Sequence, residues 1–294
     1  MSPLGEFGQV SRNLERLADL LYGGPRESAE VPISTISDAL RDLGSAEVEN
    51  LIQRMNDAGL LQVSLAGDLL RLNAAGIQAH SNACTSEVVL GAQFIGTKYR
   101  SAIVHIIVRT EHGDESGGTG FFVAEPQNQI VTARHLFDEG RSLVRIEDIG
   151  GNVIAREVAN VRLAPGRPDL ASIRCEMPGE VTAFRIDWDD YGTEEFDEVL
   201  IFGYPPLAGH NVALISARAQ VIALAPLTGE SGRHSIIISR VVAPGCSGGP
   251  VVSSEGLVVG VLSRDNIVAR IQPPDIVYTS ATPARYLRDL APVD

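Results

Sequence analysis

The apolar residues of this chain change their spacing near residue 90, and that change calls for two kinds of fold in one polypeptide. From residue 11 to about 60 the spacing is helical. Leu14, Leu17, Leu20 and Leu21 share one face, and Gly23-Gly24-Pro25 stops the run. Ile36, Ala39, Leu40 and Leu43 recur at i, i+3, i+4 and i+7, with Ser34 or Thr35 as cap and Gly44 as terminator. Val48, Leu51, Ile52 and Met55 make a third stripe, ended by Gly59. Residues 60–65 and 69–72, on either side of Ala66-Gly67, read as a hairpin. Beyond residue 90 the pattern is short β runs at 102–108, 120–123, 129–132, 199–202, 212–216, 235–239, 257–262 and 276–279, with Gly and Pro between them. Many short strands at such intervals make an all-β barrel or sandwich. Residues 283–290 suit a closing amphipathic helix.

Three helices followed by a hairpin resemble a winged-helix domain, here over residues 1–80, with 81–90 as linker and 91–294 as the β domain. Winged helices often read DNA with their third helix, which needs cations for phosphates and donors for base edges. Residues 1–80 hold eleven acids against six arginines, and the third helix carries Glu47, Glu49 and Asp57 against Arg54 alone. The whole chain of 294 residues has a formal net charge of −13, which repels phosphate backbones and anionic lipid. Nucleic acid and membrane are therefore disfavoured. The expected role of residues 1–80 is docking of a protein activator or self-association. The alternative is a domain that only packs against the second and stiffens it. Cys84, Cys175 and Cys246 are too few and scattered for a disulfide framework and lack metal-ligand spacing, so no metal and no cofactor is implied. The opening MSPLGEFGQV has no basic and then apolar leader, and no apolar run reaches the length of a span. The expected address is the cytoplasm.

The sharpest chemical signal is Gly245-Cys246-Ser247-Gly248-Gly249-Pro250. A serine hydroxyl attacks a carbonyl only when a base takes its proton and donors await the oxyanion. Small neighbours allow the tight turn that aims backbone N–H groups at one point. In this arrangement Gly245 and Ser247 supply the oxyanion hole. Upstream, an apolar strand, Ile130-Val131-Thr132, delivers His135 at its end, where a scaffold can hold a base in a cleft. Asp169 precedes the apolar run Leu170–Ile173 and is of the kind that orients an imidazole through Nδ1–H.

Together GTGFFV, IVTARH, PDLASI and GCSGGPVV, in the order His–Asp–Ser, resemble the trypsin-like serine peptidases, and within them the HtrA-like members. The likeness covers residues of about 90–290. It implies a mostly β fold, a double six-stranded antiparallel β-barrel with His135, Asp169 and Ser247 as catalytic triad in the cleft between barrels. It also implies a serine endopeptidase acting on protein or peptide substrate. By the same resemblance Val241, Ser263, Asp265 and Ile276 fall at the substrate pocket. Small aliphatic P1 residues come first and basic ones second, because Asp265 sits near the rim. The chain departs from the family in having Cys246 where trypsin-type zymogens keep an Asp. It also carries a domain upstream, so activation by N-terminal trimming does not suit it. The expected control is a partner acting through residues 1–80, in a bacterial stress or defence setting. Two rivals stay open: a DNA-binding regulator with an attached protease, and a pseudo-protease scaffold.

Overall fold

The computed structural model describes residues 3–290 except 25–26, 127, 139, 157–159, 167, 180, 189–192, 207–212, 227–233, 240–242 and 270–275, with backbone alone at 3–6, 24, 27, 264–269 and 276–277. The chain divides into two compact units, residues 1–98 with 254–256, and residues 99–253 with 257–294.

The first unit begins with helix α1, Pro3–Leu21, followed by the short strands β1 (Tyr22–Gly24) and β2 (Glu27–Ser28), which pair with each other. Strand β3 (Val31–Pro32), helices α2 (Ile33–Ala39) and α3 (Ser45–Asp57), and strands β4 (Leu61–Val63) and β5 (Leu69–Leu72) follow. The last two form a hairpin, and β3 joins it on the far side of β5. The helical stripes become one core: Leu14, Leu17 and Leu21 of α1 meet Ile36, Leu40, Val48, Leu51 and Met55, all almost free of solvent.

Residues 81–90 are not the linker that their polar composition implies. Helix α4 (Ala74–Ser81) and helix α5 (Thr85–Lys98) run through them, with a break at Gly91 (φ 67°). Ser86 finds its partners on α1. Ser86 Oγ donates to the Glu15 carboxylate at 2.8 Å and accepts from Ser11 Oγ at 2.8 Å. Val88, Val89 and Leu90 pack against the unit's core. The Ser86 bonds and three further apolar side chains make this segment part of the first unit, and the second begins at Tyr99 rather than residue 91.

The second unit is antiparallel β. Its first sheet has the order β10-β9-β6-β7-β8-β12-β11. The ranges are β6 Ile103–Arg109, β7 Glu115–Val123, β8 Gln129–Thr132, β9 Ser142–Glu147, β10 Val153–Arg156, β11 Val161–Leu163 and β12 Ala171–Arg174. One face carries Ile106, Phe122, Ile130, Ile146 and Ile173, each buried. The remaining strands are β13 Arg185–Ile186, β14 Glu198–Gly203, β15 Ile215–Pro226, β16 His234–Ile238, β17 Pro250–Val252, β18 Leu257–Ala269 and β19 Ile276–Pro283. Here β18, β17, β14, β15, β16 and β19 pair in turn, and β19 pairs back onto β18. The result is a closed six-stranded barrel, to which β13 adds a short parallel strand. Closure removes the exposed strand edges. Alternation explains the filling: Val199 and Ile201, and Ile236 and Ile238, point inward from the same faces of their strands. The fold is thus mostly β and trypsin-like. The first sheet has seven strands rather than the expected six, with β10 and β11 at its two edges. The closing segment is a 3-10 helix, Ala284–Leu290.

Candidate active site

Strand register brings His135 and Asp169 together. Strands β8 and β12 pair with Ala171 opposite Thr132. Continuing that register two residues beyond the strand ends sets Asp169 opposite Arg134. A short 3-10 turn, Arg134–Phe137, then carries His135. Its ring Nδ1 lies 2.7 Å from Asp169 Oδ2, and its backbone N–H donates to Asp169 Oδ1 at 2.8 Å. Both carboxylate oxygens therefore face one histidine, and the backbone donor fixes which oxygen is left for the ring.

Two further side chains hold the pair. Ser263 Oγ donates to Asp169 Oδ2 at 2.5 Å. Arg134 Nη1 donates to the carbonyls of Ala164 at 3.0 Å and Gly166 at 2.7 Å, clamping the Asp169 loop to the His135 turn. The side chains of His135 and Asp169 are 12% and 19% exposed, so water screens their contact weakly. Burial works against an ionised Asp169. Hydrogen bonds and charge from His135, the Ser263 hydroxyl and the His135 amide outweigh it and hold the carboxyl below its ordinary range.

Ser247 lies in the turn between β16 and β17. The turn is sewn to both halves of the unit through its backbone. Gly248 N–H donates to Leu262 O at 2.8 Å, and Leu262 N–H donates back to Gly249 O at 2.8 Å. Thr119 N–H donates to Ser247 O at 2.9 Å, and Thr119 Oγ1 donates to Gly245 O at 2.7 Å. Gly248 has φ +85°, and a Cβ there would collide with Thr119 O, Thr132 Oγ1 and Ala133 N. The residue after Ser247 thus rests on the end of the strand that leads to His135. Among the described residues, no hydrogen bond joins the Ser247 hydroxyl to the His135 ring. Such bonds often close only when substrate is present.

The loop amides divide in an informative way. Those of Cys246, Gly248 and Gly249 donate to the carbonyls of Ala243, Leu262 and Cys246. Those of Gly245 and Ser247 find no acceptor among the described residues. These are the two N–H groups an oxyanion hole at this turn requires. Gly245 adopts φ +91°, and a Cβ would run into Tyr204 O, so glycine is obligatory there.

Of the pocket residues expected from sequence, Ser263 gives its hydroxyl to Asp169. Val241 lies outside the described residues, and Asp265 and Ile276 are described by backbone only, in β18 and β19. Cys246 is buried against Gly203, where an added Cβ would come within 2.8 Å of it, and burial pushes its thiol up to about 11. It is a filler beneath the turn. Sequence reasoning missed Arg134, Thr119 and the Ser263–Asp169 bond. Arg134 stands beside His135 in IVTARH, and nothing local marks it as a donor to the carbonyls of Ala164 and Gly166. Thr119 lay in GTG with no polar neighbour along the chain to betray it.

Residues 118–261 match the family model of the trypsin-like peptidase domain. That domain supports serine peptidase chemistry. The chain is similar to a curated protein, "Uncharacterized protein y4bJ" of Sinorhizobium fredii, 34% identical over 153 residues, which are 50% of this chain and 22% of that protein. The chain thus spans about a fifth of that relative's length. Among solved structures it is similar to the HtrA-type protease AlgW with tripeptide, at 15% identity over 66% of this chain and 60% of that one, TM-score 0.49. It is also similar to the Rv3671c protease from M. tuberculosis in its active form, at 18% identity over 66% and 81%, TM-score 0.49. Among the described residues no helix is long and apolar enough to cross a membrane.

Proposed function

We propose that this chain is a serine endopeptidase with His135, Asp169 and Ser247 as its triad. Ser247 Oγ attacks the peptide carbonyl carbon while His135 Nε2 takes its proton. Asp169 accepts Nδ1–H and stabilises the imidazolium. The amides of Gly245 and Ser247 donate to the oxyanion. The C–N bond breaks as His135 returns the proton to the leaving amine, and water repeats the sequence on the acyl-serine ester. The observation that carries this reading is the Asp169 carboxylate. It is fixed at 2.7 Å from Nδ1 by three donors, which leaves Nε2 as the basic nitrogen.

The first unit is read as the control element, a docking place for a protein activator or a second copy. Its acid excess supports a protein partner over nucleic acid. A cytoplasmic role in a bacterial stress or defence response, with small aliphatic P1 residues preferred, completes the proposal. The test is fluorophosphonate labelling with peptide mapping, beside mass spectrometry of products from a denatured proteome, with Ser247→Ala as control. The label is expected on Ser247, and new termini only with the wild type. Undiminished labelling of Ser247→Ala would refute the assignment.

A further inference from the structure

We propose that Thr119 is the positioning residue of the oxyanion turn, an assignment that rests on the peptidase reading above. Thr119 is fully buried in β7, and every polar group it owns leaves the strand ladder. Its N–H donates to Ser247 O at 2.9 Å, and its C=O accepts from Thr132 Oγ1 at 2.6 Å. Its hydroxyl accepts from the backbone N–H of Tyr204 at 3.0 Å and donates to Gly245 O at 2.7 Å. The direction of that hydroxyl is not a choice. An amide N–H can only donate, so the hydroxyl lone pair faces Tyr204 and its single proton faces Gly245 O.

One residue thus grips the carbonyls on both sides of Cys246-Ser247. The peptide between them carries the Ser247 N–H, one of the two amides without an internal acceptor. With its flanking carbonyls held, that peptide cannot rotate freely. Gly245 supplies the opposing freedom, because a glycine in the left-handed region has little steric barrier to turning over. Without the hydroxyl, Gly245 O and the buried Tyr204 N–H are both stranded, and the turn relieves them by rotating the 245–246 peptide. Thr119 also joins this turn to the base, since Thr132 stands three residues before His135. A displacement of about 1 Å in such a constellation costs about 10²-fold in rate.

The test compares the full chain with Thr119→Val, which keeps the shape and loses the hydroxyl, and Thr119→Ser, which keeps the hydroxyl. Two readouts are taken: the rate of fluorophosphonate labelling of Ser247, and amide hydrogen exchange of the segment 243–249. Labelling of Thr119→Val is expected to slow about 10²-fold and exchange to quicken about tenfold, while Thr119→Ser stays within about threefold of wild type in both. Thr119→Ala carries the comparison if the valine variant does not fold. Wild-type exchange and labelling in a folded valine or alanine variant would overturn the assignment, as would a serine variant as impaired as the valine one. A wild type that never labels, with the exchange response intact, would remove the peptidase reading and leave the hold on the turn standing.

Discussion

Replacing Asp169 by Asn is predicted to abolish turnover while leaving the fold in place, and the reason is directional. Asp169 accepts from three donors: the His135 amide at 2.8 Å, the His135 ring at 2.7 Å and Ser263 at 2.5 Å. An asparagine offers one accepting oxygen and one NH2. The His135 backbone N–H can only donate, so the oxygen must turn to it, and the NH2 then faces Nδ1 and Ser263. Ser263 can reverse its hydroxyl and accept. The ring can accept only by carrying its proton on Nε2, where it blocks removal of the Ser247 proton. A forced wrong tautomer costs about 10⁴-fold, or about 5 kcal/mol of barrier. The rate of fluorophosphonate labelling of Ser247, measured with the melting temperature, is the assay. Labelling of a folded Asp169→Asn variant within tenfold of wild type would show that Asp169 does not govern the His135 ring.

The same carboxylate predicts a pH dependence. Its folded-state pKa is depressed, so the stability it contributes is present above the ordinary carboxylate pKa of about 4 and is lost as pH falls through its folded-state value. The melting difference between wild type and Asp169→Asn should therefore narrow on acidification below pH about 4, and a difference that widens there would contradict the sign. Ser263→Ala removes a hydrogen bond to a charged group and should slow labelling about tenfold, with Ser263→Thr closer to wild type. Gly248→Ala combines a left-handed backbone with collisions against Thr119, Thr132 and Ala133, and should lower stability by about 3 kcal/mol or more by urea unfolding. Cys246, buried with its thiol pushed up to about 11, should resist iodoacetamide at pH 8 in the folded chain and react once urea unfolds it.

What the chain alone determined was the type of each element and the chemistry of each motif. Leu14, Leu17 and Leu21, or Ile236 and Ile238, carry their period in the sequence because side chains alternate by local backbone geometry. His135, Asp169 and Ser247 stood out because each sits in a short frame of small or apolar residues. The tertiary structure decided what depends on register and long-range contact. The pairing of Ala171 with Thr132 sets Asp169 beside His135, and closure of β19 onto β18 completes the barrel. The same holds for residues 81–90, which read as linker until α1 supplies the partners of Ser86. Thr119 is the sharpest case. Its hydroxyl bonds to Gly245, 126 positions away, and no local pattern encodes a hydrogen bond that exists only after two sheets have folded.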